Sequence, residues 1–328
     1  MKKNRDFKGN FAKNIKNFIE YKRALGFVYE EGEYILARFD DFCCKYFPDA
    51  IELNKDIGLK WAETLDGEGG AAQSNRICVI REFGKYLNSI GIAAYIIPPN
   101  IHSKRQRPQA YIYSDEELSA IFKAADNFEP DWRSPLLHLV VPVAYRLMYC
   151  CGLRPVEIRR LHCADINFET GEIKILESKG HKDRLVVMAD DMLALAKTYH
   201  QKIDSQLPNR TYFFHNDFFR NNLKKGMYSQ VWMTKTFRKL LDTAGISKID
   251  TQRPRAYDLR HTFATHRLSG WLKEGEDVGA CISYLSEYMG HERLSDTAYY
   301  IHLVPEFYSQ EVNQRFQVKA DVLPEVPA

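Results

Sequence analysis

No CxxC pair occurs in this chain. Its seven cysteines, Cys43, Cys44, Cys78, Cys150, Cys151, Cys163 and Cys281, are odd in number, and two pairs are adjacent in sequence. Adjacent cysteines rarely serve as paired metal ligands or as a disulfide framework. Neither a zinc site nor any other metal centre is expected, and the thiols read mostly as small apolar fillers in a reducing cytosol. An uninterrupted apolar run is also missing. The most apolar stretch, Leu136 to Leu153, is broken by His138 and Arg146, so it reads as a buried helix rather than a membrane span. The basic start MKKNRDFKGN is not followed by an apolar segment, and no secretory signal is expected. There is no internal repeat and no low-complexity tract. Charge of one sign is scarce too: 46 Lys and Arg against 43 Asp and Glu leave a net +3. That balance neither demands nor excludes a polyanion, because clustering of cations on one face is what decides.

What is present suits a globular protein. The 328 residues, 45% apolar and 27% charged, provide for one or two domains, each able to bury a core. From Phe11 to about Ile96 the apolar residues recur at three- and four-residue spacing, as in Phe18, Tyr21, Leu25 and in Ile77, Ile80, Phe83, Leu87. This half reads as a small helical bundle. Gly67 to Gly70 marks a turn and Gly91 a helix end. Pro98 to Arg107 then breaks the pattern and carries Lys104, Arg105 and Arg107 on an extended segment. A solvated linker and a strap lying against a polyanion are both open readings.

Beyond the linker, Ser114-Asp-Glu-Glu117 has the form of a capping box, and an apolar helix ends at Gly152. Between Asp165 and Met188 the pattern changes to short strands with turns at Thr170-Gly171 and Lys179-Gly180. Helical periodicity resumes at Asp191 and again from Tyr228. Three segments hold the candidate chemistry. Gly152-Leu153-Arg154-Pro155-Val156-Glu157 sets an arginine on a turn, with Pro155 opening a helix and Glu157 able to hold a guanidinium. Ser178 to Val187 reads as a hairpin with Lys179 near its tip and Lys182 and Arg184 beside it. A lysine there could protonate a leaving oxygen if neighbouring positive charge lowers its pKa. The third segment, Tyr257-Asp258-Leu259-Arg260-His261-Thr262-Phe263-Ala264-Thr265-His266, is followed by Gly290-His291 and, nine residues after His291, by Tyr300. A phenol with an ordinary pKa near 10 is a poor nucleophile, and tyrosines are mostly structural. Each segment alone is also consistent with a surface salt bridge, a solvated basic hairpin or a packed aromatic.

Together and in this order, the segments resemble the tyrosine recombinase (phage integrase) family, over about Val140 to Leu303. The family pattern has a G-L-R-x-x-E box, a K-G-x-K-x-R hairpin, an H-x-L-R-H-T-F-A-T-H box, then L-G-H and a tyrosine nine residues on. The resemblance implies a mainly α fold: a helical-bundle core-binding domain at residues 1–97, a basic linker at 98–112 and a mixed α/β catalytic domain at 113–304. A tail at 305–328, with a helical stretch from Glu306 to Phe316, would be exchanged between protomers. It implies that Arg154 and Arg260 clamp a DNA phosphate, Lys179 protonates the leaving 5′ oxygen, His291 hydrogen-bonds the phosphate and Tyr300 attacks phosphorus, with Glu157 positioning the site. Lys104, Arg105, Arg107, Lys182 and Arg184 would contact DNA. Two departures stand out. Tyr257 occupies the place of the usual histidine, and the interval from Arg260 to His291 is long, for which an inserted loop over Gly270 to Ala280 is the simplest account.

The reaction implied is strand transfer through a 3′-phosphotyrosyl link, with no metal, cofactor or ATP. The implied partner is double-stranded DNA carrying specific recombination sites, with a homotetramer on paired sites, a monomer without DNA, and no membrane. The chain begins almost directly with its helical half, so no separate arm-type DNA-binding domain is expected. A bacterial cytoplasmic, nucleoid-associated integrase or transposase of a mobile element is the expectation. A type IB topoisomerase-like activity, a catalytically weak DNA-binding or directionality factor, and an unrelated helical regulator stay open at this point.

Overall fold

The computed structural model describes residues 6–101, 109–130, 134–176, 183–216, 226–246 and 254–304. Lys104, Arg105, Arg107, Lys179, Lys182 and the tail from residue 305 lie outside the described residues. The chain divides into two compact units, Met1–Pro108 and Gln109–Ala328.

The described part of the first unit is built from four helices, α1 (Ala12–Ala24), α2 (Glu30–Tyr46), α3 (Lys55–Ala62) and α4 (Gly70–Ser89). The three- and four-residue apolar spacing turns one face of each helix inward, so Ile15, Phe18, Leu36, Phe39, Ile57, Ile77, Ile80 and Phe83 form a common core. The Asn54 side chain accepts from the Ile57 N–H at 3.0 Å and fixes the start of α3. Gly91, at φ +81°, follows the end of α4. A left-handed residue there suits glycine because it has no Cβ to clash.

The second unit is mostly helical with two small antiparallel hairpins. It comprises α5 (Asp115–Asp126), α6 (Leu137–Cys150), α7 (Pro155–Arg160), β1 (Glu172–Ile175), β2 (Arg184–Val187), α8 (Asp190–Asp204), β3 (His215–Asn216), β4 (Gly226–Met227), α9 (Gln230–Thr243), α10 (Asp258–Glu274), α11 (Val278–Met289) and α12 (Leu294–Ala298). A 3-10 turn, Tyr299–Leu303, follows. The capping box at α5 forms: Ser114 Oγ accepts from the Glu117 N–H and the Glu117 carboxylate accepts from the Ser114 N–H at 2.9 Å. Helix α6 is the central post. Its Val140, Val141, Ala144, Leu147 and Met148 are completely buried, and the Tyr145 hydroxyl donates to the Met233 carbonyl at 2.8 Å, tying α6 to α9. Among the described residues, no helix is long and apolar enough to cross a membrane.

The β1–β2 register pairs Ile175 with Arg184 and Glu172 with Val187. Alternation sends Ile173, Ile175 and Val186 inward and leaves Leu185 and Val187 exposed. The β3–β4 hairpin has no counterpart in the sequence expectations, since two-residue strands leave no readable period.

One expectation about the loops needs correction. The residues from Gly270 onward do not form an inserted loop: α10 runs through Gly270 to Glu274, and the chain reverses at Gly275 (φ +80°) and the Asp277 cap of α11. Trp271 and Leu272 pack against the core of Phe263, Leu268, Val278 and Leu285, so burial draws the extra residues into the helix. The cysteines are all free, but only Cys43 and Cys151 are buried, while Cys44 and Cys78 are exposed. Cys150 and Cys163 pack partly buried against the core of the second unit, so with Cys43 and Cys151 apolar filling describes four of the seven.

Gly152 shows how tightly α6 and α10 meet. It sits at φ +60°, and a Cβ there would lie 2.6 Å from the Phe263 ring. Its carbonyl also accepts from Arg260 Nη1. Gly152→Ala combines left-handed strain of about 1–2 kcal/mol with overpacking of about 1–3 kcal/mol. Urea denaturation should therefore show a loss of about 2–5 kcal/mol; an unchanged midpoint would contradict this packing.

Candidate active site

Helix α11 ends in a pattern that places most of the site. Gly290, at φ +63°, donates its N–H to the Glu287 carbonyl, and the His291 N–H donates to the Ser286 carbonyl at 3.0 Å. This is a Schellman closure, which requires a left-handed residue at Gly290 and fixes the backbone of His291 directly after it. The next carbonyls, those of Tyr288, Met289 and Gly290, are left without partners inside the helix. Each receives one arginine: Arg184 Nε at 2.9 Å, Arg260 Nη2 at 2.6 Å and Arg154 Nη2 at 2.6 Å, respectively. The partial negative charge at a helix C-terminus favours this gathering of cations.

Glu157 is the carboxylate hydrogen-bonded to Arg154 and Arg184 in the cluster. Proline at the first position of α7 lets the helix start directly after Arg154, which brings Glu157 back over the turn. Its Oε2 accepts the Arg154 N–H at 2.8 Å and its Oε1 accepts Arg154 Nη1 at 2.8 Å. Arg184 meets it with two parallel bonds, Nη1 to Oε1 at 2.8 Å and Nη2 to Oε2 at 2.7 Å. Burial alone would raise the Glu157 pKa, but the bonds and charge of Arg184, the Arg154 N–H and the charge of Arg260 outweigh it and hold the group at about 2. Three guanidinium groups around one carboxylate leave the cluster cationic.

Arg260, on the first turn of α10, is completely buried. Burial, then the nearby Arg154, pull its pKa down to about 10, so it stays charged at neutral pH. Its Nε has no hydrogen-bond partner among the described residues. Buried donors are normally paired, so an orphaned donor on a buried cation suits an arriving anion. His291 Nε2 lies 3.1 Å from Arg260 Nη2 and Nδ1 lies 2.6 Å from Thr297 Oγ1. Arginine can only donate, so Nε2 accepts and Nδ1 carries the proton to Thr297. Burial first, then the charges of Arg260, Arg154 and Arg184, lower the His291 pKa to about 3. The ring is neutral.

Tyr300 sits on the 3-10 turn, 2% exposed. Its ring stacks on His291 with centroids 6.1 Å apart and an interplanar angle of 18°. Its hydroxyl lies 3.0 Å from His261 Nδ1. Burial raises the Tyr300 pKa above the phenol range, against the lowering pull of Arg260 and Arg154. Tyr257, at the start of α10, packs edge-on to His261 at 4.9 Å between centroids.

The structure thus gathers Arg154, Glu157, Arg260, His291 and Tyr300 directly and Tyr257 through His261. Arg184, expected as a DNA contact on a solvated hairpin, instead turns into the cluster, its side chain 6% exposed against Glu157. The reason is the pairing of β2 with β1, which holds its first residue over α7. Sequence reasoning also passed over His261, Asp258 and Thr297. The spacing of Tyr257 and His261, four apart on one helix face, was the available signal for His261. Thr297 left no such signal, since α12 is only five residues long.

A family model described as the phage integrase family matches residues 113–306, more than half of the chain. This chain belongs to the phage integrase family. It is a tyrosine recombinase, an enzyme of site-specific DNA recombination. A Sinorhizobium fredii protein named as an integrase/recombinase, y4rB, is 27% identical over 312 residues, covering 93% of this chain and 96% of that relative. The tyrosine recombinase XerD of Listeria innocua is 24% identical over 275 residues, covering 83% of this chain and 85% of its own. Among solved structures, the transposon Tn1549 integrase with transposon right-end DNA aligns at a TM-score of 0.63 and 13% identity, over 92% of this chain and 99% of that one. The XerH recombinase in a post-cleavage complex with its difH substrate aligns at 0.62 and 18% identity, over 87% of this chain and 78% of that one. At those identities the structural matches speak for the fold.

The recombinase's cluster should be acid-labile. Glu157, depressed from 4.5 to about 2, stabilises the fold above about pH 4.5 and ceases to do so as the pH falls towards 2. His261 and His291, depressed from 6.5 to about 4 and about 3, stay neutral while the unfolded chain takes up protons, so stability falls as pH drops below about 6.5. Glu157→Ala, which leaves buried guanidiniums uncompensated, should cost about 3–5 kcal/mol at pH 7. Urea titrations at pH 7, 5 and 4 measure both effects; equal stability at pH 7 and 4 would contradict the assignment.

Proposed function

We propose that Tyr300 is the nucleophile of this recombinase and that Arg154, Arg260 and His291 hold the scissile phosphate. The observation that carries this reading is the hydrogen-bonded cluster at the end of α11, cationic and with an orphaned buried Nε on Arg260, against which the Tyr300 ring is stacked. Tyr300 Oη attacks phosphorus and the P–O5′ bond breaks. The electron pair goes to O5′, and the protein is left in a 3′-phosphotyrosyl ester. A 5′ hydroxyl of a partner strand reverses the step. Lys179, outside the described residues, protonates O5′. Guanidiniums already fixed on backbone carbonyls need no reorganisation as charge grows on the phosphate oxygens. At rest the neutral His291 ring accepts from Arg260 through Nε2; it donates to a phosphate oxygen once the proton sits on Nε2 and Nδ1 accepts from the Thr297 hydroxyl. Arg184 and Glu157 act through Arg154.

The reading extends to paired recombination sites held by a homotetramer, with Lys104, Arg105, Arg107 and Lys182 contacting DNA, and to a mobile element as the source. The integrase name of the Sinorhizobium relative and the fold shared with a transposon integrase support that source.

Tyr300→Phe should bind a recombination site with unchanged affinity in gel shifts and form no covalent complex with a nicked suicide substrate, whereas Tyr299→Phe should still cross-link. A cross-linking Tyr300→Phe protein would sink the assignment. A chain ending at Val304 should bind single sites normally yet fail to pair them; normal recombination by that chain would argue against exchange of the tail.

A further inference from the structure

We propose that His261 is the general base that takes the phenolic proton from Tyr300, filling the role left open by Tyr257. The proposal rests on the reading of Tyr300 as the nucleophile. His261 Nδ1 lies 3.0 Å from Tyr300 Oη, within direct proton-transfer distance. Among the described residues, no other side chain reaches that hydroxyl with a hydrogen bond. The alternatives are disposed of by geometry and chemistry. Both ring nitrogens of His291 are engaged, one accepting from Arg260 and one donating to Thr297. Tyr257 is itself a phenol, a poor base near neutral pH.

The second nitrogen of His261 faces a carboxylate. Its Nε2 lies 4.0 Å from Asp258 Oδ1, and that carboxylate is 1% exposed. Asp258 is held in turn by the Arg255 backbone N–H at 2.7 Å and by Arg255 Nη2 at 3.1 Å. An ionised carboxylate only accepts, so it favours the proton on Nε2 and leaves the Nδ1 lone pair towards Tyr300. Asp258 lies beyond hydrogen-bond distance of the ring, and its charge stabilises the imidazolium that appears. The groups facing His261 are Asp258, Arg255, Arg260 and Tyr257 on its own side and Tyr300 and His291 from the opposite side. Burial and the two arginines keep the imidazole neutral at rest, and burial keeps the phenol protonated. The proton consequently moves as the Oη–P bond forms. Oη–H breaks, Nδ1–H forms, the Oη electron pair goes to phosphorus, and the P–O5′ pair leaves with the 5′ oxygen. In the reverse step His261 returns the proton to Tyr300.

The test is single-turnover cleavage of a nicked suicide DNA by the full chain. His261→Ala and His261→Asn should each be slower by about 10²–10⁴-fold. The asparagine keeps an acceptor near the Nδ1 position but is no base, so wild-type rates in His261→Asn would reduce His261 to a positioning role and overturn the proposal. Added imidazole should partly restore His261→Ala. A substrate with a bridging 5′-phosphorothiolate, whose sulfur leaves without a proton, should not rescue either variant; full rescue would place the defect on the leaving group instead. On that same substrate the wild-type rate should be level from pH 5 to 9, while His261→Ala should gain about tenfold per pH unit as hydroxide takes over. A wild-type rate rising in that way would also overturn the proposal, and this reading needs no variant to fold. Mass mapping of the covalent peptide separates the two hypotheses: DNA on Tyr299 defeats the nucleophile assignment, whereas DNA on Tyr300 with unimpaired His261 variants defeats the base alone.

Discussion

Three consecutive carbonyls at the end of α11 are the constraint on which the catalytic unit depends. A helix terminus buried inside a protein must find donors for its last carbonyls, and a buried arginine must find acceptors for a charge that cannot be discarded. Here each demand meets the other. Arg184, Arg260 and Arg154 arrive from β2, α10 and the turn before α7, and dock on Tyr288, Met289 and Gly290 in sequence order along α11. Three elements distant in sequence are thereby tied to one point. Glu157 offsets part of the charge and locks Arg154 and Arg184 side by side.

The same arrangement shapes the acid–base character of the site. Concentrated positive charge holds Glu157 ionised and His291 neutral, so protons in the cluster are fixed near neutral pH. His261, on the far side of the Tyr300 hydroxyl, has Asp258 within 4.0 Å and feels Arg255 and Arg260 as well. One histidine faces the cations and the other faces a carboxylate, and the phenol lies between them. In the proposed reaction, that asymmetry separates the groups that bind phosphate from the group that takes the proton.

Glycine carries much of the geometry. Gly290 permits the closure that sets His291, and Gly152 permits the approach of Phe263 and offers its carbonyl to Arg260. Both positions hold positive φ in tight surroundings, so side-chain identity and backbone conformation are coupled directly to where the guanidiniums end up. The C-terminal half of α10 shows a different kind of coupling. Its last turns pack Trp271 and Leu272 against the core, well away from the first turn, where Asp258, Arg260 and His261 lie.

The sequence by itself determined the helical periodicity of the first unit, the cap at Ser114, the turn glycines and the ordered motifs around Arg154, Arg260, His291 and Tyr300. Those features are local, or repeat at a spacing set by backbone geometry, and so they survive in one dimension. Only the tertiary structure decided that Arg184 belongs with Glu157, that Arg260 fixes the tautomer of His291, and that His261 rather than Tyr257 meets the Tyr300 hydroxyl. Each of those is a contact between elements whose separation in the chain carries no period. Hydrogen bonds of 2.6–3.0 Å at this site are set by how helices and hairpin dock, and docking is fixed by the burial of the whole unit rather than by any one motif.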